Sequence, residues 1–340
     1  MRYRCQFRRY RLPFRAVMRT AHGPWGEREG VLIQLANEAG SVGYGEAAPI
    51  PWFGTETTDE VVEACRELGE WVESETLDAV PVELGCLRNA LAVAQAELGS
   101  KALDRGAAVP ADLGVAALLP AGQAAIEVIS PKAEMGFRVF KWKVGVGDPD
   151  EELGLLDELC GALPEGAKLR LDANGAWDAK RAARWLERCA ERPVEFVEQP
   201  VAADSRGAQD VLLGLAGDFP TPVALDESVI RDGDVERWLG LGWPGIYVIK
   251  PSLLADPSSA LARLATAKAP VVFSSALETG VGARAALRLA FAWTGERRAL
   301  GFGIWPLFAD GRFDGPYTTP FLSLREVERI NPDSIWNVLI

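Results

Sequence analysis

The chain runs to 340 residues, room for a barrel of the TIM kind plus one smaller domain. Its 48 acidic residues outnumber 36 basic ones for a net charge of −12, which excludes the broad positive field that nucleic-acid binding requires. A single histidine, His22, leaves no histidine pair for a zinc site and at most one candidate for a Ser-His couple.

In chain order, residues 4–7, 30–35 and 40–46 read as short strands between glycine-containing turns, the mark of an antiparallel meander. The arginines from Arg2 to Arg15 make the first strand locally basic, and a solvated or oligomer-facing strand explains them. Residues 58–71 predict a helix capped by Thr57 or Thr58, and the Ala- and Leu-rich stretch 82–103 a second. An α+β capping domain over 1–108 is therefore expected. Beyond it the rhythm changes. Apolar strands, most of them running into a turn, are predicted at 113–118, 140–145, 169–177, 194–200, 222–228, 245–252, 271–282 and 299–304. Helices are predicted at 150–163, 179–190, 211–217 and 257–267, the last opening on Asp256-Pro257. This alternation predicts a (β/α) barrel of the TIM type over 109–305, with 306–340 packing back on the cap.

Five of the strands end in a charge: Lys143, Asp172, Glu198, Asp226 and Lys250, spaced 24 to 29 residues apart. A barrel gathers the C-terminal ends of its strands around one mouth, so five distant segments deliver their side chains to one pocket. Alternation puts Lys141 beside Lys143, Arg170 and Asn174 beside Asp172, and Ile246 and Val248 beside Lys250. A lone acid at a strand end more often caps the next helix than binds a metal; three in succession reverse that expectation. Carboxylates without histidine or thiolate form a hard oxygen site suited to Mg²⁺, with Mn²⁺ as the alternative. A carboxylate substrate held there has an acidified α-proton, and a lysine takes it once burial and a neighbouring ammonium weaken its hold on its own proton. The residues alone do not choose between Asp226 and Glu227 as the third ligand.

The five cysteines, Cys5, Cys65, Cys86, Cys160 and Cys189, lack paired spacing and are expected as buried thiols. Trp142, Trp177 and Trp185 are expected to pack. No apolar run reaches membrane-spanning length and the basic start lacks a signal-peptide core, so a soluble cytoplasmic protein is expected.

The segments KWK (141–143), LDAN (171–174), VEQP (197–200), LDES (225–228) and IKPS (249–252), in this order and spacing, resemble the enolase superfamily, in its lysine–lysine subgroup of muconate-lactonizing enzymes and dipeptide epimerases. The resemblance covers nearly the whole chain, and GEAAPIPWFGTET (45–57) resembles the loops of the capping domain that close over the mouth. It implies an enolase-like fold, Asp172, Glu198 and Asp226 as Mg²⁺ ligands with Asp226 ahead of Glu227, Lys143 as acid/base, and Lys250 on the opposite face. Asn174 and Arg170 become substrate or supporting contacts, and Lys141 either an ion-pair partner or a second active lysine. Within the subgroup, epimerases of dipeptides resemble one another in an Asp-x-Asp at the eighth strand; here residues 301–305 read Gly-Phe-Gly-Ile-Trp. An apolar wall at Gly301, hydroxyls at Ser274 and Ser275, backbone donors in the turn 278–282, and Phe53, Gly54 and Trp25 from the cap suit a ring carrying a succinyl tail. The reaction implied is the syn dehydration of 2-succinyl-6-hydroxy-2,4-cyclohexadiene-1-carboxylate, on the route to menaquinone or phylloquinone. The partner expected is a small-molecule carboxylate, with no nucleic acid or membrane. N-succinylamino acid racemase, dipeptide epimerase and muconate cycloisomerase chemistry remain alternatives, as do a Schiff-base aldolase and a barrel without catalysis.

Overall fold

The computed structural model describes residues 1–20, 23–99 and 109–339; His22 and the end of the expected 82–103 helix lie outside the described residues. The chain opens on two strands much longer than the sequence suggests, β1 (Arg2–Thr20) and β2 (Gly23–Asn37), paired antiparallel with one register shift between Pro13 and Met18. Acids on neighbouring segments make an arginine-rich strand tolerable. Arg9 and Arg11 meet Glu29, Arg11 also meets Glu27, and Arg4 meets Glu70. Such exposed pairs each add about 0.2–1 kcal/mol at most, so their role is to solvate the strand rather than to drive folding.

The two faces of β1 serve two cores. Tyr3 and Cys5 enter the cap core, whereas Tyr10, Leu12 and Phe14, of opposite parity, enter the barrel core. With β3 (Val42–Ala47) and β4 (Trp71–Glu73) the cap sheet runs β3-β2-β1-β4. The β4 strand takes the end of a stretch expected to be helix. That helix, Thr58–Leu68, starts at a Thr57 capping box and stops at Gly69, before Trp71. After a short helix at Ser74–Asp78, the long cap helix, Gly85–Gly99, lies so close to β3 that a Cβ on Gly45 or Gly43 would collide with the carbonyls of Ala90 or Ala94.

The expected first barrel strand is two strands, β5 (Asp112–Gly114) and β6 (Ala117–Leu119). The parallel sheet then runs β6, β7 (Val139–Lys143), β8 (Lys168–Asp172), β9 (Val194–Glu198), β10 (Val223–Leu225), β11 (Ile246–Ile249) and β12 (Val271–Phe273) in spatial order. Each is followed by a helix: Ala124–Glu134, Pro149–Ala162, Ala179–Cys189, Ala208–Asp218, Asp232–Gly240, Pro257–Thr266 and Gly280–Ala292. The eighth strand contracts to Leu300 and Gly301, which bridge Val115 on one side and Ser274 on the other and so close the barrel. Gly301 fits that seam closely, since a Cβ there would stand 2.7 Å from Ser274 Oγ and 3.1 Å from its Cβ.

Outside the barrel wall, Trp142, Trp185 and Trp177 pack in series, the last two stacked with centroids 4.8 Å apart. Truncating a buried aromatic of this kind typically costs about 3–5 kcal/mol, so this cluster is a main support of the wall that carries Lys143 and Asp172. Among the cysteines, Cys5, Cys65, Cys86 and Cys189 are buried, Cys160 half-buried, and all are free.

The C-terminal stretch returns to the cap. A final strand, β13 (Phe321–Ser323), pairs with β5, Phe308 bridges Phe14, and Asp333 accepts a 2.6 Å bond from the Tyr44 hydroxyl.

Candidate active site

Inside the barrel, side chains of alternate residues stack in layers. Below the mouth, Phe196, Ala224, Ile246, Val248 and Val272 form an apolar cluster of their own, with Arg170 lying over Phe196. Charges crown it. Lys141 Nζ stands 2.8 Å from Asp172 and 2.7 Å from Glu198, and Lys250 is ion-paired with Asp226. Lys143 is half-buried at the end of β7, where its backbone pairs with Asp172. From the cap, the turn Pro51–Phe53 places the Phe53 ring centroid 5.5 Å from Lys250 Nζ. Residues from β7, β8, β9, β10, β11 and the cap thus meet at one mouth.

The charges perturb one another. Burial pushes the Glu198 carboxyl up, with Asp172 adding repulsion. Burial also lifts Glu227 to about 7, again with Asp172 contributing. For Lys141, burial pulls down but the facing carboxylates of Asp172 and Glu198 prevail, and the ammonium is held above its ordinary range. Lys250 moves the other way, to about 8, because burial outweighs the carboxylates and Lys141 repels it.

Glu227 enters this cluster although alternation along a strand predicts that it faces away from Asp226. The strand ends at Leu225, so alternation lapses; Glu227 accepts a 3.0 Å bond from Asn174, and its second oxygen is buried without a partner. Asn174 sits at φ 42°. Gln199, unremarked in the sequence, is fully buried at φ 39° and ties two loops together. Its amide oxygen accepts from the backbone N–H groups of Asp226 and Ser228 at 3.0 and 3.2 Å, and its nitrogen donates to the Ser228 hydroxyl at 2.8 Å. Among the described residues four non-glycines take a left-handed backbone, and three of them, Asn174, Gln199 and Leu277, lie just past β8, β9 and β12. Strain of this sort persists where surrounding bonds dictate it, and it clusters at functional sites.

Other expected contacts fall elsewhere. Arg170 is buried below the carboxylates, donating 2.7 Å bonds to Glu195 and to the Ala299 carbonyl while lying over Phe196. The turn expected at 278–282 is largely the start of the helix Gly280–Ala292, and the backbone N–H groups of Thr279 and Gly282 both donate to Glu46 at 2.8 Å. Those donors are therefore engaged by the cap and do not face a ligand. Ser275 donates to Glu278 at 3.1 Å and Ser274 to the Gly301 carbonyl at 3.4 Å. Trp25 supports the cap turn by packing edge-on against Trp52, 4.7 Å between centroids.

A cation suits this donor set. Asp172, Glu198, Asp226 and Glu227 offer only oxygens, burial raises two of them, and one Glu227 oxygen lacks a partner. Among the described residues no three His, Cys, Asp or Glu side chains are grouped as a formed metal site; ammonium groups stand against the carboxylates instead.

Comparison with known proteins places this arrangement. Residues 124–320 match the family model described as enolase C-terminal domain-like, and residues 1–98 that described as MenC, N-terminal domain. An o-succinylbenzoate synthase of Thermosynechococcus vestitus is 41% identical over 306 residues, covering 88% of this chain and 92% of that protein. One of Yersinia enterocolitica is 30% identical, with 83% and 84% covered. Among solved structures, an o-succinylbenzoate synthase from Thermosynechococcus elongatus, complexed with Mg in its active site, aligns with a TM-score of 0.84 at 37% identity over 99% of this chain and 100% of that one. The L-Ala-D/L-Glu epimerase of Bacillus subtilis, 20% identical with a TM-score of 0.79 over 94% and 95% of the two chains, shares the fold.

Proposed function

Since this chain belongs to the enolase superfamily and carries a MenC-type amino-terminal domain, we propose that it works as an o-succinylbenzoate synthase, a hydro-lyase of menaquinone or phylloquinone formation. The observation that supports this reading is the cluster of Lys141, Asp172, Glu198, Asp226 and Lys250 at one barrel mouth, with Lys143 at the end of β7 beside Asp172, in a chain 41% identical to such a synthase. The reaction removes water from 2-succinyl-6-hydroxy-2,4-cyclohexadiene-1-carboxylate.

Asp172, Glu198 and Asp226 are assigned to hold a divalent cation, Mg²⁺ with Mn²⁺ as an alternative. Bound there, it supplies a Lewis acid that polarises the substrate carboxylate. Lys143 removes the proton from the ring carbon bearing that carboxylate, and the carbon–oxygen bond to the hydroxyl then breaks on the same face. The proton on Lys143 passes to the departing hydroxide, so one residue acts as base and then acid and water leaves. Lys250 presents positive charge on the opposite face of the ring, beneath Phe53. Lys141 bridges Asp172 and Glu198 and offsets their mutual repulsion, and Asn174 fixes Glu227. Ser274, Ser275 and Gly301 are assigned to the wall along the succinyl tail, with Arg170 supporting the barrel beneath. Among the described residues no helix is long and apolar enough to cross a membrane, and we place the enzyme in the cytoplasm.

The absence of paired acids at Gly301-Phe302-Gly303 favours dehydration over dipeptide epimerisation. A substrate panel tests the choice. The ring compound is expected to lose its diene absorbance on mixing with enzyme and Mg²⁺, while dipeptides and N-succinylamino acids in D₂O exchange their α-hydrogens slowly or not at all. Fast exchange with an inert ring compound would transfer the assignment to the racemase branch. Phe53→Ala is expected to raise KM for the ring compound about tenfold with Mg²⁺ affinity unchanged, since its ring lies beside Lys250, 5.5 Å from Nζ, and supplies no oxygen to a cation. Steady-state kinetics beside a Mg²⁺ titration would check it, and unchanged kinetics would make Phe53 ordinary packing.

A further inference from the structure

Arg28, on β2, is only 1% exposed and forms no salt bridge among the described residues. A buried guanidinium without a carboxylate is costly unless every N–H finds an acceptor. Here all five do, and every acceptor is a backbone carbonyl. Nη1 donates to Pro49 at 2.7 Å and Glu29 at 3.0 Å, Nη2 to Ala48 and to Ala276 at 3.2 Å, and Nε to Leu277 at 3.2 Å.

Four of these five carbonyls belong to two separate walls of the mouth; the fifth, that of Glu29, is on β2 itself. Ala48 and Pro49 lead into the turn that carries Phe53 over Lys250. Ala276 and Leu277 follow Ser274 and Ser275, and Leu277 is held at φ 62°, a conformation its side chain disfavours. The Leu277 N–H in turn donates to the Ser275 hydroxyl at 2.9 Å. The planar fork of an arginine can satisfy this divergent set of acceptors; the three donors of a lysine cannot.

We propose that Arg28 is a positioning residue for substrate recognition, fixing the Phe53 turn of the cap and the Ser274–Leu277 loop of the barrel relative to each other. It touches no reacting atom. The proposal rests on the assignment of Phe53, Ser274 and Ser275 to the substrate wall, and its test is chosen to separate the two.

Arg28→Lys is the first variant, and Arg28→Gln, which buries no charge, is the second in case an ammonium is not accommodated. Amide hydrogen exchange is read on segments 48–54 and 274–278 together, with 139–143 and 246–250 as references. Exchange in both walls is expected to quicken in concert while the reference strands stay protected. With the ring compound, KM is expected to rise about tenfold while kcat stays within about twofold, and adding Phe53→Ala to the variant is expected to bring little further loss, because both changes act through one contact. Exchange confined to one wall, a uniform loss of protection, or fully additive KM effects would each overturn the proposal. Concerted loosening of both walls with an enzyme that never dehydrates the ring compound would keep Arg28 as the tie and refute the substrate assignment instead.

Discussion

Lys143→Ala is expected to lower turnover of the cyclohexadiene substrate by about 10⁴-fold, the upper end of what a general acid–base group contributes, because one side chain serves both proton transfers. Lys250→Arg is expected to keep measurable turnover, down about 10- to 100-fold, since a guanidinium still presents positive charge to the ring although its shape differs from an ammonium. The asymmetry is the signature of one-base chemistry. A two-base epimerisation would need a proton at Lys250, which arginine does not release near neutral pH, and both variants would then be equally silent. Single-turnover kinetics at saturating substrate, with circular dichroism to confirm folding, would read the ratio directly. Equal loss in the two variants, with Mg²⁺ binding intact, would count against the assignment.

The second large effect concerns the carboxylates. Asp172→Asn, Glu198→Gln and Asp226→Asn are each expected to weaken Mg²⁺ binding by about 100-fold or more, because a neutral amide replaces a charged oxygen donor to a hard cation. Glu227→Gln distinguishes a ligand from a supporting group. It is expected to cost about tenfold, the scale of an outer contact, since Asn174 already holds one of its oxygens. Calorimetric titration of all four variants would rank them. A Glu227 variant weakened about 100-fold or more, with Asp226→Asn close to wild type, would move the third ligand by one residue.

Much of the barrel is legible in the sequence because parallel strands buried on both faces leave dense apolar runs, five of them ending at the mouth in a charge. Lys143, Asp172, Glu198, Asp226 and Lys250 stand out for that reason. The cap is less legible. The arginines of β1 are offset by Glu27, Glu29 and Glu70 on other segments, and no local period announces those pairs. The first barrel strand divides because β5 joins β13 from the far end of the chain, a long-range pairing invisible to propensity. Backbone donors at Thr279 and Gly282 look available to a ligand until Glu46, more than 230 positions earlier, is seen to accept from them. Gln199 and Arg28 leave no residue pattern, because Arg28 bonds only backbone carbonyls and Gln199 mostly backbone atoms. Glu227 reads in the sequence only as a rival to Asp226, because adjacent residues of a strand face opposite sides, and β10 ends at Leu225 before that rule applies.

The most direct test of the central claim is turnover of the ring compound by wild-type enzyme stripped of metal and then titrated with Mg²⁺, with bound Mg²⁺ counted in the same samples. Activity is expected to vanish on stripping and to return in proportion to occupancy, reaching its maximum at one Mg²⁺ per chain. Full dehydration by the metal-free enzyme, or full occupancy without dehydration, would contradict the account.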